Sequence, residues 1–326
     1  IYMNIKNKIA LLALLTGAFF NHNITTSSAD DVFVSLIYDI DCEDLDNADV
    51  VKESLCSVPV VDNMVPQGLA IVENIYLVSS YEYTKNSYSC ISVIDNQGTI
   101  INTCFLNNKA HVGGLAFDEV NSLVWVTGVD GNVNAYDVNH ILSSSKASPK
   151  YSNMDVGNGL NNYRNPFINS ASFLTVYDNE LFVGNFSLDD SGKLKRYGIS
   201  INEDKTLVLE YKGFSYIPNC VQGVTFYNHD NRDYIIFSRS FGTDLGSVLQ
   251  VFAYNENITN YKDCVSVCLE LPAMMEQVIV RNSKLVALFE SAATPYKNKV
   301  SVSEENLVDV EIDDMIKKLE LKKDTR

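Results

Sequence analysis

Two features of the 326-residue sequence predict an all-β chain closed into a single β-propeller. Apolar residues alternate with period two along most of it, and the alternating units repeat. Five runs carry the pattern: GLAIVENIYLVSSY, GGLAFDEVNSLVWVTG, FLTVYDNELFVGNF, GVTFYNHDNRDYIIFSRSF and EQVIVRNSKLVALFES. Each reads as a strand, a short Asn/Asp/Gly turn and a second strand. With Gln67, Gly113, Ser172, Gln222 and Glu276 as equivalent positions, the units lie 46, 59, 50 and 54 residues apart. The space after each pair accommodates further strands, clearest in SCISVID and TIINTCFL of the first unit. A repeat of roughly 40–55 residues with four strands per unit is the signature of a propeller blade. The count is five blades, or six if residues 31–62 hide a degenerate unit.

Taken in order, residues 1–29 read as an export signal. Lys6 and Lys8 precede the apolar stretch IALLALLTGAFF, and Ser27-Ser28-Ala29 offers small residues for cleavage near Ala29. The stretch is shorter than the ~20 residues that span a bilayer. The mature chain is therefore expected to be secreted, with no transmembrane segment. Residues 30–62 form an N-terminal segment holding the strand that closes the ring, either 31–40 or 57–61. Residues 63–318 are the propeller and 319–326 a charged tail. Helical periodicity is confined to residues 138–142 and 313–323.

Lys and Arg number 25 against 41 Asp and Glu, a net charge of −16 that becomes −16 − 2 = −18 once Lys6 and Lys8 leave. Nucleic acid and anionic membrane surfaces demand basic patches and are excluded as partners. Export permits disulfides among the seven cysteines. Cys90 and Cys104 flank a hairpin and are candidates for a cross-strand bridge. Cys42 with Cys56 would close a small loop, and Cys264 or Cys268 would reach Cys220. No CxxC pair suggests a zinc ribbon or a redox motif.

In a four-stranded blade the start of the inner strand and the end of the second strand lie on one face of the disc. This brings Gln67, His111, Ser172, Gln222 and Glu276 to the channel mouth from inner strands. Tyr81, Asn185, Arg239 and Glu290 join them from second strands. Such convergent polar groups make a ligand pocket, or a wet channel whose side chains only satisfy neighbouring backbone. Arg239 would orient an anionic or hydroxyl-rich ligand, or form a structural ion pair with Glu290. His111 precedes two glycines that permit close approach of backbone or ligand. The loop YEYTKNSY, from Tyr81, adds three tyrosines suited to sugars, peptides or protein surfaces.

HExxH, GxSxG, GxxxxGK[ST] and GxGxxG are all missing from the sequence. No cofactor is predicted, although Asn169, Asn185 and Glu276 loosely imitate a divalent-ion site. The favoured expectation is a non-enzymatic protein binding a small molecule, glycan or protein at the mouth. The alternative is a hydrolase of glycosides or lactones with Glu276 and Glu290 as acid and base, His111 being a further catalytic candidate.

The phrases from Val65-Pro66-Gln67-Gly68-Leu69 to Ser79-Ser80-Tyr81, and His111-Val112-Gly113-Gly114-Leu115, recur in a known family. So do Gln222-Gly223-Val224, Phe237-Ser238-Arg239-Ser240-Phe241-Gly242, and Leu288-Phe289-Glu290-Ser291-Ala292-Ala293 with Tyr296. Over residues 60–318 the chain resembles a family of exported bacterial β-propeller proteins. The resemblance implies the fold and export, and carries no reaction. Where that family tends to have Glu-Gly, this chain has Glu276-Gln277.

Overall fold

A computed structural model describes residues 52–58, 63–154, 171–188 and 191–324. The chain forms five four-stranded antiparallel sheets. An opening strand, β1 (Lys52–Ser57), precedes the first blade of β2 (Met64–Val72), β3 (Ile75–Glu82), β4 (Cys90–Ile94) and β5 (Ile100–Phe105). Blade 2 comprises β6 (Leu115–Asp118), β7 (Leu123–Thr127), β8 (Val133–Asp137) and β9 (Tyr151–Met154), with a short helix α1 (Val138–Ser143) after β8. Blade 3 is β10 (Phe173–Tyr177), β11 (Glu180–Gly184), β12 (Gly192–Ile201) and β13 (Leu207–Ile217). Blade 4 is β14 (Val221–His229), β15 (Arg232–Arg239), β16 (Ser247–Ala253) and β17 (Ser266–Leu271). Blade 5 takes β18 (Met275–Arg281), β19 (Lys284–Phe289) and β20 (Asn306–Glu311) from the end of the chain, and its outermost strand is β1.

Local chemistry explains the inner hairpins. Asp178-Asn179, Asp230-Asn231 and Asn282-Ser283 all have positive φ, as two-residue type I′ turns require. Asn and Asp tolerate that region better than other residues with a side chain. The flanking strands then pair in register, for example Tyr177 with Glu180 and Arg281 with Lys284.

Each neighbouring pair of blades shares one apolar cluster. Leu77 and Val124 belong to the cluster joining blades 1 and 2, Trp125 and Leu181 to that of blades 2 and 3. Phe182 meets Phe226 between blades 3 and 4, with ring centroids 4.6 Å apart. Leu249 and Leu285 share the next cluster, and Leu69 and Leu288 close the circle between blades 1 and 5. Burial at about 25 cal/mol per Å² over five such interfaces is what holds the disc together.

Several expectations need correction. The ring-closing strand is Lys52–Ser57, antiparallel to β20, so it lies ahead of 57–61; residues 31–40 fall outside the described residues, as does the export signal. The C-terminal helix α2 (Asp313–Asp324) runs into the expected tail. Its Met315, Ile316 and Leu319 are buried in the cluster of blades 4 and 5, so Leu319 is core. Asp313 and Asp314 at its start and Lys322 and Lys323 at its end complement the helix dipole.

No disulfide joins any described cysteine. A register shift between Val93 and Ile94 sets Cys90 opposite Phe105 and Cys104 opposite Ile91. A one-residue offset sends the two thiols to opposite faces of the sheet. Cys220 heads the innermost strand of blade 4 and Cys268 lies on its outermost. The two share one buried apolar cluster with Val248. Cys42, the proposed partner of Cys56, is outside the described residues.

Candidate functional site

Three of the five inner strands slip register at their first residues. The shifts fall between Pro66 and Gly68, between Val221 and Gly223, and between Met275 and Val278. A bulge leaves its extra residue out of the ladder and re-aims the side chain. Here the extra residues are Gln67, Gln222 and the pair Glu276-Gln277, all turned to the channel.

Blades 1 and 4 fix this geometry in the same way. A Cβ added at Gly68 would lie 2.4 Å from Ser79 Oγ, and one at Gly223 would lie 2.8 Å from Ser238 Oγ. The bare glycines let those hydroxyls in. Ser79 accepts from Gly68 N (3.0 Å) and donates to Val112 O of the next blade (2.7 Å). Ser238 likewise donates to Glu276 O of blade 5. Inner strands are thus stapled to their neighbours just below the mouth.

The result is a cavity of about 310 Å³ lined by Gln67, His111, Ser172, Gln222 and Glu276, one residue from each blade. Thr127 and Phe186 complete its wall. Gly113, the repeat equivalent of Gln67, has no side chain because a Cβ would lie 2.4 Å from Ser172 O. His111, two residues earlier, fills that sector instead. Its ring stacks on Tyr81, centroids 4.3 Å apart and planes at 28°.

Gln277, the next residue of β18, reaches across the channel. Its Oε1 accepts from Leu69 N (3.2 Å) and Leu115 N (3.0 Å), and its Nε2 donates to Leu115 O (2.6 Å). One amide therefore ties blades 1, 2 and 5 together across the channel axis. A second cavity of about 200 Å³, lined largely by apolar residues such as Leu69, Leu115 and Phe226, also abuts Gln277. The amide is a septum of hydrogen bonds between these inner strands.

At one side of the mouth two carboxyls meet. Glu276 is buried, at 3% exposure, while Glu290 at the end of β19 is half-buried. The two are hydrogen-bonded to one another, and Glu290 Oε2 also accepts from Gln67 Nε2 at 2.7 Å. A hydrogen bond between carboxyls requires a proton between them. Burial raises both pKa values, and the neighbouring Glu290 raises Glu276 further. Bonds from Gln67 and Glu276 offset part of the rise at Glu290, which reaches about 7. Glu276 is the partner that keeps its proton.

Tyrosines frame this pair. The hydroxyls of Tyr81 and Tyr296 lie 3.1 Å apart, and burial raises both their pKa values. Tyr83 meets Tyr296 edge-on at 5.9 Å, and Lys85 Nζ sits 4.3 Å above the Tyr81 ring. The loop is closed by the Glu82 carboxylate, which accepts from Thr84 Oγ1 (2.7 Å) and Asn86 N (2.6 Å). His111 is open to solvent on its outer side. The protein around it, with the Lys85 ammonium, lowers its pKa, so its imidazole is neutral.

Two expected mouth residues are elsewhere. Arg239, 1% exposed, donates to Asn219 O (2.9 Å), Asn219 Oδ1 and Gln250 Oε1 (2.8 Å), and to neither glutamate. Its side chain shares the face of blade 4 with Gln250 rather than entering the channel. Asn185 bridges the β11–β12 connection, accepting from Lys193 N (3.0 Å) and donating to Phe186 O (3.3 Å). The imagined ion site of Asn169, Asn185 and Glu276 loses Asn185 to that turn, and Asn169 is outside the described residues. Among the described residues no three His, Cys, Asp or Glu side chains cluster as metal ligands. Sequence reasoning missed Gln277, Thr127 and Phe186. The Gln in place of Gly after Glu276 was the one available signal for the septum.

No family model and no curated protein matches the chain. Among solved structures it is similar to a gluconolactonase from Xanthomonas campestris, with 10% identity, a TM-score of 0.42, and 81% of this chain and 90% of that one covered. It is also similar to the tail fiber of Staphylococcus aureus phage P68, with 10% identity, a TM-score of 0.48 and coverages of 86% and 57%. The WD40 β-propeller domain of Doa1 has 11% identity, a TM-score of 0.39 and coverages of 79% and 96%.

Proposed function

We infer that this protein binds a ligand in the polar pocket at the channel mouth and does not transform it. The observation that carries this reading is the pair of unengaged polar groups in the wall. Gln222 lines the cavity, yet its amide makes no hydrogen bond within the described residues, and neither do the ring nitrogens of His111. Groups held by bulges and left without protein partners are poised for a visitor. Hydrolysis of a glycoside is disfavoured by the glutamates. Acid and base in such enzymes stand about 5–10 Å apart with the bond between them, whereas Glu276 and Glu290 touch. We also place the protein outside the cell, on the strength of the basic and apolar leader in residues 1–29. No helix among the described residues is long and apolar enough to cross a membrane.

A thermal-shift screen of the chain from residue 30 onward tests the reading. A ligand stabilises the native state by RT ln(1 + [L]/Kd), so sugars, amino acids, peptides and divalent ions are ranked by the rise in Tm. Gln222→Leu should remove the shift while leaving the ligand-free Tm nearly unchanged. A shift that survives in both Gln222→Leu and His111→Ala would move the binding site away from the mouth.

A further inference from the structure

The chemistry of the wall narrows the ligand, on the premise that the mouth is a binding pocket. The lining holds amides at Gln67 and Gln222, hydroxyls at Ser172 and Thr127, a neutral imidazole at His111 and one carboxyl, Glu276. Among the described residues no Lys or Arg lines it. The carboxyl is the member of the pair that donates to Glu290, which in turn is held by Gln67. The nearest cation on the rim, Lys85, rests on the outer face of Tyr81.

Such a wall discriminates by charge. An ion entering the pocket sheds water and meets no Lys, Arg or ionised carboxylate among the described lining residues. An uncharged ligand with many hydroxyls exchanges water for partners at equal value. The Gln222 amide offers a donor and an acceptor, and neutral imidazole offers one of each. Glu276 lines the same wall, and burial beside Glu290 favours its neutral form, whose carboxyl oxygen accepts from a ligand hydroxyl. Phe186 supplies an apolar surface to the same wall, suited to the C–H face of a ring. At about 310 Å³ the cavity sits at the small end of ligand pockets.

We propose that the pocket takes an uncharged, hydroxyl-rich ligand about one sugar ring in size, bound by the Gln222 amide, the His111 imidazole and the Glu276 carboxyl. The acid is used here as a neutral group, the way an amide would be. The Glu290 carboxyl behind it is the partner that keeps it so.

Calorimetric titration at neutral pH with glucose, N-acetylglucosamine, glucuronate and glucosamine tests this on the wild-type chain, Glu276→Gln and Gln222→Leu. Glutamine preserves both the donation to Glu290 and the oxygen facing the cavity. The expected result is saturable binding of a neutral sugar at millimolar concentration or below. Glucuronate and protonated glucosamine should bind about tenfold more weakly or worse. Glu276→Gln should hold the neutral sugar within about threefold of wild type, and Gln222→Leu should lose it by about tenfold or more. A tenfold loss in Glu276→Gln would show that the carboxylate is the recognising species and overturn the proposal, while the mouth stays the binding site. Preference for a charged sugar, or failure of both neutral sugars to bind, would overturn it too. Neutral-sugar binding unaffected by Gln222→Leu would instead refute the site itself.

Discussion

Glu276 and Glu290 share a hydrogen bond at the channel mouth, and their nearest guanidinium on blade 4, Arg239, takes no part in it. The pair is faced by the Gln67 amide from β2, the Tyr81 hydroxyl from β3 and the Tyr296 hydroxyl from the turn after β19. With no cation among the described residues bonded to the pair, a proton does the work of a salt bridge. Electrostatics at this mouth is governed by that proton.

The first consequence is a stability that falls with pH. Both folded-state values stand above the ordinary value of 4.5, so the contribution is present in full below that pH and is lost as pH rises through the folded values. Glu290 ceases to contribute to the slope above about 7, and Glu276 continues beyond it. Glu276→Gln removes one of the two protons. Its stability relative to wild type should therefore climb by up to about 1.4 kcal/mol per pH unit above pH 5. Urea unfolding at pH 5, 6, 7 and 8 reads the difference; a constant gap across the series would contradict the buried acid.

Arg239 should matter for folding and not for binding. Its guanidinium satisfies the buried Asn219 and Gln250 side chains, so Arg239→Met strands polar groups within blade 4. A loss of about 2–4 kcal/mol is expected by denaturant unfolding. Ligand affinity of the molecules that remain folded should be unchanged, which calorimetry below the unfolding transition would check.

Gln277→Leu keeps the volume of the septum and deletes its hydrogen bonds. The main-chain amides of Leu69 and Leu115 would lose their acceptor in a buried site, at about 1–3 kcal/mol each. Hydrogen exchange should then accelerate at those two amides ahead of the rest of β2 and β6. Unchanged protection there would mean the septum is not what ties the inner strands.

Removing β1 leaves β20 as an open edge, since Lys52, Glu53 and Ser54 pair with Val310, Asp309 and Val308. Exposed edges recruit other strands. A chain starting at residue 59 should have a lower Tm and self-associate, as light scattering after size exclusion would show. A monodisperse monomer of native Tm would argue that the ring closes without β1.

Much of this architecture was legible in the sequence, for physical reasons. Inner hairpins are buried on both faces and turn through Asn and Asp, so 173–184 and 223–239 announce themselves by composition and spacing. The ring-closing strand did not, because KESLCS is an outer strand with exposed polar residues and weak alternation. The Cys90–Cys104 expectation failed on a single irregular residue in the β4–β5 ladder, which sequence spacing cannot register. At the mouth, repeat alignment placed the five inner-strand residues around one cavity. It misplaced Arg239 and Asn185 because the end of a second strand points either to the channel or to a blade face, and local twist decides which. Gln277 entered only as a departure from an expected glycine, although it ties three inner strands together.

Glu276 keeps its proton at the channel mouth while Glu290 beside it gives one up. Carbon-13 NMR titration of the glutamate side-chain carboxyls reads this, with Glu276→Gln and Glu290→Gln supplying the assignments. Glu290 should titrate near pH 7 and Glu276 should stay protonated through that step. Two mouth carboxyls titrating independently near the ordinary value of 4.5 would contradict it.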